Sequence, residues 1–266
     1  MTRWTSALLA ALVSAAAAPA QDWAKARLEK SPRHGEWVKL QNGPRTVQAF
    51  VVFPEVKDKA TAVVVIHEIF GLTDWVRGVA DQLAEAGYIA IAPDLLSGAA
   101  KGGGGTAEIG GGDAVRKAIF ALPPEQVTAD LNAVADYVAK LPACNGKVAV
   151  AGFCWGGGQS FRYATNHPSL KAAFVFYGSG PDQEAAVARI RGPVYGFYGE
   201  NDARINMTLP KTKELMQKAG KPFDPVTYAG AGHGFMRAGE APDANAANKK
   251  ARDDAWARWK ELLKKI

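Results

Sequence analysis

Cys154 stands in Gly152-Phe153-Cys154-Trp155-Gly156, the spacing of a nucleophile elbow in which sulfur replaces the usual serine oxygen. A nucleophile on so sharp a strand-to-helix turn has a strained backbone, and side chains at the flanking glycines would collide with the neighbouring strand and helix. The same turn sets the sulfur at a helix N-terminus, which favours thiolate over thiol. Two further residues complete an acyl-transfer set. Asp202 lies just past the apolar run Val194 to Tyr198, and His233 sits in Gly230-Ala231-Gly232-His233-Gly234. His233 can take the proton of Cys154 while Asp202 holds the imidazole in the correct tautomer and stabilises the imidazolium. Taken singly, each residue has a plainer reading: a buried structural cysteine, a turn aspartate or helix cap, a loop histidine. Their order along one chain favours catalysis.

The elements around these residues read as alternating strands and helices. Thr61 to His67 and Val148 to Phe153 are apolar runs suited to strands buried on both faces, and Tyr88 to Pro93, Ala172 to Tyr177 and Val194 to Tyr198 read likewise. A short last strand is expected at Asp224 to Tyr228. Helices are predicted from Asp74 to Ala86, from Pro123-Pro124 to about Lys140, after the elbow, and from about Asp243 to Lys264. In the last, Trp256, Trp259 and Leu263 form a core-packing stripe. Glu36 to Pro54 alternates about the turn Gln41-Asn42-Gly43-Pro44, which predicts an antiparallel hairpin at the sheet edge. Ser97 to Gly112 carries two glycine runs and reads as a mobile loop, either a lid or an exposed insertion. The expected fold is α/β: a mostly parallel, doubly wound sheet with an antiparallel N-terminal edge hairpin.

In open sheets of this kind ligands bind beyond the carboxyl ends of the strands, and Glu68, Cys154, Asp202 and His233 each follow a strand. The order nucleophile, acid, histidine is that of the α/β-hydrolase fold. Glu68, otherwise a surface glutamate, occupies the loop that supplies one oxyanion donor in this fold, making the Ile69 and Trp155 amides the natural pair. A carboxylate there is expected to hydrogen-bond the neutral thiol and raise its pKa, restraining the sulfur until substrate displaces it. His67-Glu68 lacks the second histidine of a zinc motif, so neither metal nor other cofactor is assigned.

The chain has 266 residues, 48% of them hydrophobic, enough for one sizeable core. Its formal charge of +6 is not gathered into a basic run with interleaved aromatics, which argues against a nucleic-acid partner. Residues 1–20 read as a secretory signal peptide: Arg3, an apolar run from Ala7 to Val13, then Ala18-Pro19-Ala20 as the cleavage site. Residues 21–266 then form a single exported domain, periplasmic or secreted, monomeric and not membrane-bound after cleavage. An uncleaved anchor helix is the alternative. Two cysteines in an exported chain normally suggest a disulfide. Here an extended strand before the elbow separates Cys144 from Cys154 by roughly 20 Å or more, too far for a bridge.

Together His67-Glu68-Ile69-Phe70-Gly71, Gly152-Phe153-Cys154-Trp155-Gly156-Gly157, Asp202 and Gly232-His233-Gly234-Phe235 resemble the dienelactone hydrolase family over roughly residues 35 to 265. The resemblance implies a thiol hydrolase that opens a small-molecule ester or lactone, with Glu68, Cys154, Asp202 and His233 at functional positions and Ile69 and Trp155 as oxyanion donors. Arg237 matches an arginine that binds the substrate carboxylate; its structural alternative is to tie the His233 loop to an acidic neighbour. A second such arginine is expected shortly after Pro93-Asp94-Leu95, where this chain has Ser97-Gly98-Ala99. With one arm of that clamp missing, the substrate class loosens to small esters and lactones. The competing reading is an exported binding or thiol-redox protein on a hydrolase fold.

Overall fold

The computed structural model describes residues 22–266, so the predicted signal peptide lies outside the described residues. The chain opens with α1 (Asp22–Glu29), β1 (Gly35–Asn42), β2 (Arg45–Val52), β3 (Ala60–Ile66), α2 (Asp74–Glu85) and β4 (Ile89–Asp94). Three helices follow: α3 (Thr106–Ile109), α4 (Gly112–Phe120) and α5 (Pro124–Ala139). Then come β5 (Cys144–Phe153), α6 (Trp155–Ala164), β6 (Ala173–Phe176), α7 (Glu184–Val187), β7 (Val194–Gly199), α8 (Ala203–Asn206) and α9 (Leu209–Lys218). β8 (Phe223–Tyr228), α10 (Phe235–Ala238) and α11 (Ala246–Leu263) complete it.

One eight-stranded sheet runs β1-β2-β4-β3-β5-β6-β7-β8. The first two ladders are antiparallel and all others parallel, as the edge hairpin and buried runs predict. Every residue of β3 and β4 is buried, because helices cover both faces. On one face Val127, Leu131, Val134 and Val138 of α5 pack against Val64, Ile91 and Val150. On the other, Trp75, Val79 and Leu83 of α2 join Trp256, Trp259 and Leu263 of α11. The tryptophan stripe is therefore core packing. Helix α11 begins slightly later than predicted because Asn245 caps it, its side chain accepting from the Asn248 amide at 2.8 Å.

Residues 97–112 depart from the expectation of a loop without fixed elements. Asp94, buried at the end of β4, accepts from the Thr106 amide and hydroxyl, both at 2.7 Å, and from the Leu96 amide at 3.1 Å. This carboxylate ties the middle of the glycine-rich segment, between its two glycine runs, to the sheet. Helix α4 starts inside the second glycine run and buries Val115 and Ile119 against Leu96. The apolar i, i+4 pair outweighs the glycine run before it.

Sheet order explains where the site must be. From β3 the chain winds outward through α2 to β4, then returns to add β5 on the other side of β3. The crevice between the carboxyl ends of β3 and β5 is thus the topological switch point, flanked by Glu68 and Cys154.

Candidate active site

Cys154 caps α6 with φ 56°, a left-handed backbone held by a hydrogen bond from its amide to Phe176 O at 3.0 Å. The glycine pattern follows from this turn. A Cβ on Gly152 would overlap the Gly156 carbonyl oxygen, and one on Gly156 would overlap His67 O. The elbow can pack against β3 and α6 only without those side chains.

Cys154 Sγ lies 3.1 Å from His233 Nε2, and His233 Nδ1 lies 2.5 Å from Asp202 Oδ2. Asp202 is buried, and its other oxygen accepts from the Ile205 amide at 3.4 Å, capping α8. With Nδ1–H directed at the carboxylate, Nε2 presents a lone pair to sulfur. The loop carrying His233 is fixed at both sides: Asn201 N donates to Ala231 O at 2.9 Å, and Gly232 N donates to Asn248 Oδ1 at 3.0 Å. Tyr177 meets the imidazole edge-to-face at 5.1 Å. The three residues that the spacing singled out are thus brought together from β5, β7 and β8.

Glu68 is buried beside the sulfur, but its partner differs from the expected one. Its Oε2 accepts from Arg237 Nε at 2.8 Å, and its Oε1 accepts from the Tyr177 hydroxyl at 3.5 Å. The guanidinium, a charge-assisted donor, occupies the carboxylate in place of the thiol. The direction of the effect on Cys154 is as expected while its main cause is not. Burial, and after it the Glu68 charge, push the thiol up to about 11, opposed by the Trp155 amide, Arg204 and the Ile69 amide. The helix-start preference for thiolate is overridden. The two amides that lower it are those of Ile69 and Trp155, the candidate oxyanion donors. Glu68→Gln is expected to lower the thiol pKa, so iodoacetamide should alkylate Cys154 faster near pH 7 than in the wild type. An unchanged rate–pH profile would remove Glu68 from the control of sulfur.

Arg237 adopts the arrangement in which it ties the His233 loop to an acidic neighbour. Burial lowers its pKa, and Glu68 more than offsets this. Its guanidinium also stacks over Phe70 at 5.1 Å and borders the cavity above Cys154. Arg237→Ala leaves the Glu68 carboxylate buried without its ion partner, so a loss of about 2 to 3 kcal/mol in folding stability is expected, read as a lower melting temperature. All substrates should suffer together, with carboxylated ones losing more.

Several residues here carried little sequence signal. His67 is fully buried and stacks on Trp155 with ring centroids 5.5 Å apart. Burial lowers its pKa, and its neutral ring donates from Nδ1 to Glu68 O at 2.9 Å while Nε2 accepts from the Leu95 amide at 3.4 Å. It braces the Glu68 loop and ties it to the loop after β4. Tyr177, at φ 42°, braces Glu68 and His233. Its fully buried hydroxyl has a pKa raised well above normal by burial and by Glu68. Among the described residues no group of three or more His, Cys, Asp or Glu could hold a metal, and no helix is long and apolar enough to cross a membrane.

The sheet, the elbow and the residues beyond β5, β7 and β8 define an α/β-hydrolase. Residues 47–266 match the dienelactone hydrolase family. The chain belongs to that family and is, with it, a carboxylic ester or lactone hydrolase. A protein of Saccharolobus solfataricus provisionally named carboxymethylenebutenolidase is 30% identical over 253 residues, covering 83% of this chain and 94% of its own. One of the same provisional name from Escherichia coli K12 is 31% identical over 213 residues, 76% of either chain. A crystal structure provisionally described as a dienelactone hydrolase from Klebsiella pneumoniae superposes with a TM-score of 0.75 at 26% identity, covering 88% of this chain and 99% of that one.

Proposed function

We propose that the protein cleaves a small ester or lactone through an acyl-thioester on Cys154. The observation that carries this reading is the unbroken line from Sγ through His233 to Asp202, at 3.1 and 2.5 Å. His233 Nε2 takes the thiol proton as sulfur adds to the carbonyl carbon. The oxygen that gains charge is met by the Ile69 and Trp155 amides. Collapse of the tetrahedral adduct breaks the ester C–O bond, and the imidazolium returns its proton to the departing alkoxide. Water then adds to the thioester with His233 as base, releasing the carboxylic acid and restoring the thiol. In a lactone the departing alkoxide stays tethered and one hydroxy acid is released.

With its pKa near 11, the resting sulfur is a neutral thiol at pH 7. It is spared some oxidation until a substrate arrives. A substrate carboxylate reaching Arg237 competes with Glu68 for the guanidinium, which couples binding to the charge beside the sulfur. The provisional names of the relatives support the lactone side of the proposal. Family membership also favours a hydrolase over a binding or thiol-redox role. Residues 1–20 support an exported enzyme. Both cysteines are free thiols, and β5 separates them along its whole length, about 30 Å. The test is to quench ester turnover in acid and weigh the protein: the acyl mass should sit on the peptide containing Cys154. Turnover with no acylated Cys154 would refute the thioester route.

A further inference from the structure

The cavity that opens on Cys154 extends well beyond it, to about 990 Å³, near the upper end for small-molecule pockets and more than a small lactone needs. One wall is a stripe of α6, with Trp155, Gly158, Gln159 and Arg162 at helical spacing. Trp155 to Arg162 spans about 10 Å at 1.5 Å per residue. The facing wall runs from Ser179 past α7 to Arg189, whose Nε donates to Thr165 O at 3.0 Å. That bond joins the two walls at the end remote from sulfur.

The charges in this arm are unusual for the molecule. Eight of the twelve described arginines form an ion pair with a carboxylate. Of the four that form none, Arg162, Arg189 and Arg204 all border this one cavity. Arg162 is half-buried, and its Nη2 donates to Pro124 O at 2.8 Å, which orients the guanidinium without neutralising it. Burial lowers its pKa, with Glu125 acting the other way. Between Trp155 and Arg162, the buried Gln159 Oε1 has no hydrogen-bond donor. A buried acceptor without a donor is costly and suits a ligand N–H or O–H.

We propose that this arm is a second recognition site, distinct from Arg237, in which Arg162 and Arg189 hold a terminal oxyanion, carboxylate or phosphate, about 10 Å from the scissile carbonyl. Gln159 Oε1 accepts from a donor midway along the chain. The substrate class is then an ester or lactone with an anionic tail. This rests on the hydrolase reading of Cys154.

The probes are p-nitrophenyl monoesters of dicarboxylic acids from succinate to sebacate, each paired with a methyl-terminated ester of equal length. A phosphate-terminated member tells which oxyanion is preferred, and acetates of ω-hydroxy acids test the alcohol side. In the wild type the charged member should exceed its neutral pair in kcat/KM by tenfold or more at lengths that reach Arg162, over and above any advantage that Arg237 gives at succinate. Arg162→Gln with Arg189→Gln should erase that ratio, and the paired lysine variants should keep part of it. The wild-type profile needs no variant, so a misfolded one leaves the proposal exposed. No length-dependent advantage in either series overturns it. If even p-nitrophenyl acetate is not turned over, the hydrolase reading fails instead, and calorimetric titration of suberate into the wild-type protein still decides the anion site: heat lost in the double variant supports it, and no binding overturns it.

Discussion

Replacing Cys154 by alanine is expected to lower kcat/KM for p-nitrophenyl acetate by at least about a thousandfold, since on the proposed thioester route the nucleophile and the covalent intermediate vanish together. The backbone at φ 56° admits alanine as it admits cysteine, so the melting temperature should stay near that of the wild type. This separates lost chemistry from lost structure. Serine at the same position should retain weak activity, because the hydroxyl is harder to ionise but keeps its contact with His233. Full activity in the alanine variant would end the assignment. A fall matched by a lower melting temperature would mean that the thiol is a packing group.

Asp202→Asn should be nearly as severe, about 10³ to 10⁴ in kcat at pH 7. Asparagine has almost the same shape and can still cap α8 through its oxygen, so the cost is electronic. Its amide can donate to Nδ1, which turns the imidazole so that Nε2 carries the proton and cannot accept one from sulfur. The thiol titrates near 11, and solvent hydroxide takes over its deprotonation as the pH rises. The variant should therefore regain activity steeply between pH 8 and its stability limit, where the wild type is flat. An activity deficit equal at every pH would show that Asp202 supports the loop instead of the ring.

Much of this site was legible because the fold ties chemistry to strand ends: an apolar run marks a buried strand, and the next polar residue stands in the crevice. Cys154, Asp202 and His233 could be read this way without knowledge of any contact. What could not be read is where long-range partners settle. The Glu68 carboxylate is close to sulfur, as its loop implies, yet Arg237 from the far end of the chain takes the hydrogen bond. Arg204 and Arg189 carry no local signature, and only the assembled fold turns them toward one cavity. The glycine runs in residues 97–112 outweighed a short amphipathic pattern, and the Asp94–Thr106 latch that orders the segment depends on a partner distant in sequence. The stacking of His67 on Trp155 was hidden for the same reason.

The return of the chain from β4 to β5 has a further consequence. Ile69 belongs to the part of the protein before this crossing, whereas Trp155, Cys154, Asp202 and His233 all belong to the part after it. The crossing includes the exposed turn at Lys101 to Gly103. A backbone cut there would leave Ile69 on one fragment and Trp155 with Cys154 on the other, dividing the proposed oxyanion pair between them. The fragments would meet mainly along the β3–β5 ladder and under α5. Turnover would then measure reassembly of two polypeptides, making the enzyme a reporter of whatever brings them together.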